Sequence, residues 1–336
     1  MRYEIQSEAG GEIIKGDCLE TSGEIEPGSV DLILTDPPYG TVKGVASADG
    51  IEHGMKGQTD WDDALPPSTL FDLSKQLLRK NGKAVLFAQE PYTSELVTEA
   101  GGNLSFSYRM VWEKDHFANS LVAKDSPVNL FEDIVVFTKQ ADTAQTHPLR
   151  PYAQRVMEHI GLTLPEINKE LGHRRAEHFF YVDSSQFELC TRETYNELVE
   201  RFGIDSVGGF KEYAELQEMD EAFKQKNPSV FNLPDGEKYK TNVYHYDKPQ
   251  SDYHPTQKPV GLLMDLIETF SNEGDRVVDL TAGSGSTAVA AYKTNRECIA
   301  IEKDEIYYQK AIERMSNIDD SQVSVTGQYN LEAYND

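Results

Sequence analysis

Short apolar runs alternate with amphipathic stretches over the first ~140 residues. Glu12 to Ile14, Val30 to Thr35, Lys83 to Phe87 and Ile134 to Phe137 are brief and rich in branched apolar side chains, as strands covered on both faces are. Between them, Ser68 to Lys80 carries Leu70, Phe71, Leu73, Leu77 and Leu78 at helical spacing, and Asn81-Gly82 is expected to stop that helix. From about Ala141 to Gln250 the pattern turns polar and helix-dominated and looks inserted. After Pro259 the alternation resumes: a helix to Phe270, a strand at Arg276 to Leu280, a Gly-rich turn, a helix to about Thr294, a strand at Glu297 to Ile301 and a helix to about Met315. Such a βαβ unit implies parallel pairing. The pattern divides the chain into 1–140, an inserted helical region 141–250, 251–316, and an acidic tail 317–336 without Lys or Arg, expected to be mobile.

Composition narrows the picture. With 38% hydrophobic and 26% charged residues in 336, the chain can bury a full core. No apolar run approaches the ~20 residues of a membrane span, and Met1-Arg2-Tyr3-Glu4 opens no signal peptide, so a cytoplasmic location is expected. Cys18, Cys190 and Cys298 are far apart and form no Cys-x-x-Cys pair, which argues against a disulfide framework or a zinc ribbon. The net charge of -25 disfavours nucleic-acid binding by bulk electrostatics and leaves it to a local patch; it also fits a salt-rich cytoplasm.

Two segments carry chemistry. Asp279-Leu280-Thr281-Ala282-Gly283-Ser284-Gly285-Ser286-Thr287 runs from a strand into a helix through a Gly-x-Gly turn, where backbone can approach a ligand. Glu302 ends the next strand, 19 residues after Gly283, a place that suits a carboxylate on ribose hydroxyls. A dinucleotide fold offers the same turn, so a nicotinamide dehydrogenase stays open here. The second segment, Thr35-Asp36-Pro37-Pro38-Tyr39-Gly40, leaves the carboxyl end of an apolar strand. Its prolines fix φ and stiffen a rim of acceptors, the Asp36 carboxylate and the Pro37 carbonyl. Two acceptors gripping an exocyclic amino group would pull it toward tetrahedral geometry and free its lone pair. Tyr39 supplies a stacking face. A rigid turn with a core tyrosine is the alternative. A WW-ligand motif would need Pro-Pro-x-Tyr, which is absent.

With these segments in view, the chain resembles the β-class amino-methyltransferases of DNA, and within them phage and prophage adenine methylases. The resemblance rests on Gly16 to Glu20, Ser29 to Tyr39, Arg109 to Lys114, Phe131 to Lys139, His254-Pro255-Thr256-Gln257-Lys258-Pro259 and Asp279 to Thr287, in the family's order. It spans roughly residues 11–140 and 240–315; Trp61-Asp62 and Phe87 to Tyr92 point to the phage branch. Asp279-Leu280-Thr281 stands where many members have Asp-Pro-Phe.

The resemblance implies an α/β fold: a Rossmann-like S-adenosylmethionine methyltransferase sheet, circularly permuted, with an inserted, mainly helical target-recognition domain. It implies that Asp36, Pro37, Pro38 and Tyr39 hold and stack the target base, that Asp17 and Cys18 line the cofactor adenine, and that Thr256 and Lys258 meet the methionine carboxylate. Gly283, Ser284, Gly285, Ser286 and Thr287 would pass beneath the cofactor, with Glu302 on its ribose. The implied reaction is direct transfer from S-adenosylmethionine to N6 of a flipped adenine in double-stranded DNA, with no cysteine nucleophile. N4 of cytosine is the alternative acceptor, and a non-catalytic helix-turn-helix DNA binder the non-enzymatic one. A homodimer and a cognate restriction endonuclease are possible partners.

Two further expectations concern the surface. Residues 40–60, with Gly40, Gly44, Gly50, Gly54 and Gly57, read as a lid over the site. In the inserted region, Tyr152 to Ile160, a capping box at Thr163 to Glu166, a stop at Gly172 and a helix from His173 to Tyr181 suggest helix-turn-helix docking. His147 to His178 carries five Lys/Arg against four acidic residues, which makes Arg174 and Arg175 the candidate DNA contacts. His173 and His178 are off one helical face, and no metal site is expected. The whole reading requires Tyr39 and Ser284 to line one cleft.

Overall fold

The computed structural model describes residues 1–39, 64–117, 127–141, 147–184, 186–249 and 257–318. The expected lid, Thr256 and residues 319–336 of the tail lie outside them. The chain divides into two compact units, Met1–Lys139 with Val230–Asp336, and Gln140–Ser229.

Among the described residues the first unit is built on a nine-stranded sheet. Its strands are β1 (Arg2–Glu4), β2 (Gly11–Lys15), β3 (Val30–Thr35), β4 (Leu78–Ala88), β5 (Leu104–Glu113), β6 (Phe131–Lys139), β7 (Val243–His245), β8 (Arg276–Asp279) and β9 (Glu297–Glu302), in the order β1-β2-β9-β8-β3-β4-β6-β5-β7. The run β2-β9-β8-β3-β4 is parallel throughout, so the carboxyl ends of these strands share one edge of the sheet. β6 is antiparallel to both β4 and β5, which brings its first residues to that same edge beside the end of β5.

Both faces of the sheet are covered, which is why its strands read as nearly unbroken apolar runs rather than alternating ones. In β3, Leu32 and Leu34 enter one core and Ile33 the other. The first core is closed by α9 (Val260–Phe270), α10 (Ser286–Lys293) and α11 (Glu305–Ser316), which contribute Leu262, Leu266, Ala288, Ala291, Tyr308 and Ala311. The second is closed by α2 (Pro67–Leu77) and α3 (Tyr92–Glu99), through Leu70, Leu77 and Leu96. A short α1 (Cys18–Thr21) follows β2.

Asn81-Gly82 does not end a helix. α2 stops at Leu77 and β4 begins at Leu78, so the pair lies inside the strand. Asn81 takes φ 64°, and the register against β3 shifts there. A Cβ on Gly82 would stand 3.0 Å from the carbonyl oxygens of Arg79 and Asp31. Left-handed backbone and tight packing thus kink the strand where the sequence pattern suggested a stop.

The second unit packs α4 (Arg150–Ile160), α5 (Leu164–Leu171), α6 (Glu177–Phe180), α7 (Arg192–Phe202) and α8 (Tyr213–Lys226) around Tyr152, Val156, Ile167, Phe179, Tyr195 and Leu198. The capping box at Thr163 and Glu166 forms as expected, and Gly161, Gly172 and Gly203 close α4, α5 and α7 in left-handed conformations. The unit ends at Ser229 rather than at residue 250: residues 230–249 join the first unit, where β7 pairs with β5. The helix expected from His173 begins only at Glu177 and makes a single turn. His173 binds Glu197 at 2.6 Å and accepts from the Arg175 N–H, which holds 173–176 as a turn. α6 is thus a single turn, while α4 and α5, joined through 161–163, form as the sequence pattern suggested.

Candidate active site

The strand ends meet in a cleft of about 600 Å³, within the range of small-molecule sites. Tyr39 and Ser284 both line it, together with Asp17, Cys18, Asp36, Pro37, Pro38, Lys258, Asp279, Gly283, Ser286, Thr287 and Glu302. Topology brings them together: β3 ends at Thr35, directly before Asp36, its parallel neighbour β8 at Asp279, and β9 at Glu302.

The ends of β3 and β8 are pinned to each other. The Thr35 hydroxyl donates to Asp279 Oδ1 at 2.8 Å and lies 2.7 Å from the Thr281 hydroxyl. Thr281 in turn donates to the Asp36 carbonyl at 3.0 Å. Thr281, one of the two residues that depart from Asp-Pro-Phe, therefore ties the Gly-x-Gly turn to the Asp-Pro-Pro-Tyr segment. Asp279 is buried, and burial raises its carboxyl above the ordinary range, while hydrogen bonds from Thr287 and Thr35 oppose that shift.

Asp36 keeps 26% of its side chain open, on the cleft. Burial pushes its carboxyl up to about 6, against the pull of the neighbouring Lys258 ammonium. Water in the cleft tempers that shift, and at neutral pH Asp36 is an anion facing a cation. Lys258 bonds Asp36 Oδ2, whereas Asp36 Oδ1 is buried with no hydrogen-bond partner. Such an orphaned acceptor is costly unless a ligand donor meets it. Tyr39 is half-buried, backed by the Tyr92 ring at 6.0 Å between centroids with 28° between planes.

At the other end of the cleft, Glu302 Oε2 accepts from the Gly283 N–H at 2.7 Å and Oε1 from the Asp304 N–H at 2.6 Å. Burial raises the Glu302 carboxyl to about 7, with those two N–H donors acting in the opposite sense. Asp17 caps α1 by accepting from the Leu19 N–H, and Lys303 lies 3.6 Å from it. Burial, then the Asp17 charge, lifts the Cys18 thiol to about 11, so it is protonated at neutral pH and no nucleophile. Burial likewise raises Cys190 to about 12 and Cys298 further still.

Two of the expected site residues have other close partners in the structure. Gly285 does not line the cleft: it takes φ 77°, and a Cβ there would stand 3.0 Å from the Ala311 Cβ, so this glycine admits α11 against the turn. Lys258, expected on a methionine carboxylate, lines the cleft with 5% of its side chain exposed and pairs with Asp36 and, at 3.2 Å, with Glu132. Arg174 and Arg175 lie in the helical unit, 77% and 56% exposed, each paired with an acid: Glu177 at 2.7 Å and Glu197 at 2.9 Å. Sequence reasoning passed over Glu132 and Lys114, which line the cleft and pair at 2.6 Å. Their signal is a charge beside a strand terminus, Glu132 at the start of β6 and Lys114 directly after β5.

A family profile described as DNA methylase, for the N6 and N4 enzymes, matches residues 30–313. The chain belongs to this DNA methylase family. As a family member it is similar to the DNA adenine methyltransferase YhdJ of Escherichia coli, 24% identical over 311 residues, which cover 90% of this chain and 82% of YhdJ. It is also similar to the type II methyltransferase M.HindIII of Haemophilus influenzae, 32% identical over 96 residues, 28% of this chain and 31% of that one. Among solved structures, the M1.HpyAVI–SAM complex has a TM-score of 0.49 at 18% identity, covering 90% of this methylase and 98% of that chain. The cytosine-N4-specific PvuII DNA methyltransferase has a TM-score of 0.48 at 14% identity, covering 94% and 88%.

The cleft of this methylase fits S-adenosylmethionine. Backbone at Gly283 and the buried hydroxyls of Ser284, Ser286 and Thr287 form one wall, and Glu302 and Asp17 stand at strand ends where ribose and adenine donors would sit. No described helix is long and apolar enough to cross a membrane.

Proposed function

We propose that this DNA methylase transfers the methyl group of S-adenosylmethionine to the exocyclic N6 of adenine in DNA. The observation that carries the proposal is Asp36, which lines the cleft shared with the glycine turn and whose Oδ1 is a buried acceptor without a partner. The similarity to the adenine enzyme YhdJ over 90% of the chain supports adenine over cytosine.

When bound, S-adenosylmethionine supplies an electrophilic methyl on its sulfonium. The chain's own residues prepare the acceptor. Asp36 Oδ1 accepts a hydrogen bond from one N–H of the adenine amino group and the Pro37 carbonyl from the other, which weakens delocalisation of the nitrogen lone pair into the ring; one of those protons leaves the nitrogen after the methyl has passed to it from sulfur. Tyr39, braced by Tyr92, stacks on the base outside the duplex. The prolines keep this rim stiff, so the amino group meets a preorganised site rather than ordering one. Glu302, Asp17 and the Gly283 backbone hold the donor's nucleoside, and no cysteine takes part. The helical unit reads the target, with Arg174 and Arg175 on phosphates once they leave Glu177 and Glu197. A restriction-modification setting is in keeping with relatives such as M.HindIII.

The test is to incubate DNA with the protein and labelled S-adenosylmethionine, digest it to nucleosides and separate the products. Label in N6-methyladenine is expected. Label in N4-methylcytosine would overturn the adenine assignment, and unlabelled DNA the whole proposal.

A further inference from the structure

The cleft holds a four-charge chain of which the mechanism above uses one member. Lys258 Nζ bonds Asp36 Oδ2 and lies 3.2 Å from Glu132 Oε2; Glu132 Oε1 lies 2.6 Å from Lys114 Nζ. The four groups come from four places in the fold: the end of β3, the start of β6, the residue after β5 and the segment before α9. Lys258 lies over the Phe87 ring and Lys114 over the Trp112 ring, which limits the swing of either ammonium.

Buried charges are retained at a desolvation cost, so a chain of four calls for an account. Packing does not provide one, because every member lines the cleft. What the chain does is divide the two oxygens of Asp36. Oδ2 is occupied by Lys258, and Oδ1 is left without a partner. For that division to hold, the ammonium must stay where it is, and Glu132, whose Oε2 lies 3.2 Å from it as an ion pair without a hydrogen bond, is the second carboxylate that holds it.

We infer that Glu132, itself anchored by Lys114, is a positioning residue that clamps Lys258 onto Oδ2 of Asp36 and so presents Oδ1 to the substrate amino group. This rests on the methyl-transfer reading and extends it to residues outside the Asp-Pro-Pro-Tyr segment. The charged groups facing Asp36 are Lys258, Glu132 and Asp279, and they define the electrostatic consequence. Burial opposes the charge on Lys258, but Asp36 and Glu132 more than offset it and raise its affinity for the proton. Burial also opposes ionisation of Glu132, and Lys258 with Lys114 overcomes it. The Glu132 anion raises the Asp36 carboxyl and the Lys258 cation lowers it.

Opposite shifts therefore follow from the two substitutions. Glu132→Gln removes the clamp and an anion: kcat is expected to fall about tenfold or more, with the acidic limb of its pH profile moving to lower pH. Lys258→Met removes the cation and is expected to lower kcat and move that limb to higher pH. Glu132→Asp, which keeps the charge one methylene shorter, is expected to recover part of the loss. KM for S-adenosylmethionine should stay within about threefold in the Glu132 variants, since they leave ground-state cofactor binding alone. Thermal unfolding and cofactor titration run beside the kinetics establish that each variant is folded. A Glu132→Gln enzyme with wild-type kcat and an unmoved limb, with or without a lower Tm, overturns the inference while methyl transfer stands. Limbs that move in the same direction also overturn it. If the wild-type chain transfers no methyl group to DNA, the functional reading fails and this inference fails with it.

Discussion

The hydroxyl contact between Thr35 and Thr281 joins the two halves of the site across a sequence separation of 246 residues, and a double-mutant cycle can weigh it. Three close contacts involve these hydroxyls: Thr35 to Asp279 at 2.8 Å, Thr35 to Thr281 at 2.7 Å and Thr281 to the Asp36 carbonyl at 3.0 Å. The two hydroxyls have one proton each, so the network is worth about two hydrogen bonds, not three. Valine matches threonine in shape, so each substitution removes polarity without opening a cavity. Thr281→Val leaves the Asp36 carbonyl unmet and should cost about 1–3 kcal/mol of stability. Thr35→Val strips a donor from a buried carboxyl and should cost about 1.5–3 kcal/mol. Because the side chains touch, the double variant should depart from the sum by about 0.5–1.5 kcal/mol. Thr281→Val also frees the Asp36 backbone, and a loss of about 1.4 kcal/mol in transition-state stabilisation would lower kcat about tenfold. Urea unfolding at equilibrium supplies the stabilities, and methyl transfer from labelled cofactor the rates. Losses that add within about 0.3 kcal/mol, together with unchanged kcat in Thr281→Val, would refute the pinning of β3 to β8.

The raised carboxyls give a signed pH dependence. Folded Asp36 and Glu302 hold protons up to about 6 and about 7, above their ordinary values of 3.8 and 4.5. Their contribution to stability is complete below the ordinary values and is lost as pH rises through the folded ones. After allowance for solvent in the cleft, Glu302 should cost the cofactor-free protein about 1–2 kcal/mol between pH 4.5 and 8. Urea midpoints should fall over that range in the wild type and less steeply in Glu302→Gln; equal slopes would contradict the assignment. Gly285→Ala, at φ 77° and 3.0 Å from Ala311, should cost about 1–2 kcal/mol while cofactor Kd changes little. Calorimetry checks both, and a weakened Kd at unchanged Tm would return Gly285 to the cofactor. Replacing Arg174 and Arg175 with alanine should weaken DNA binding and lower the salt slope by about one for each phosphate no longer neutralised. A salt titration of DNA binding reads that slope, and an unchanged one would remove both arginines from the interface.

The parallel core of the sheet was legible because strands covered on both faces leave short apolar runs. β3, β8 and β9 lie where those runs do, each with a chemical residue at its carboxyl end. The Gly-x-Gly turn was legible as a turn, but Gly283 and Gly285 look alike in sequence. Only packing against Ala311 separates the one on the cleft from the one behind it. Asn81-Gly82 misled for a related reason: a left-handed residue serves equally to end a helix or to kink a strand. The short helix α6 was overextended because His173 and the two arginines have helix-compatible neighbours, while Glu197, which holds His173 and Arg175, comes from α7 and is a tertiary matter. Glu132 and Lys114 stayed hidden because pairing across strands has no sequence spacing to read.

The most direct measurement is methyl transfer to DNA by Asp36→Ala beside the wild type, with cofactor affinity determined on the same samples. Labelled DNA is expected from the wild type and none above background from the variant, with cofactor Kd values within a few-fold of each other. Near-normal turnover by a folded Asp36→Ala protein would contradict the role assigned to this carboxylate.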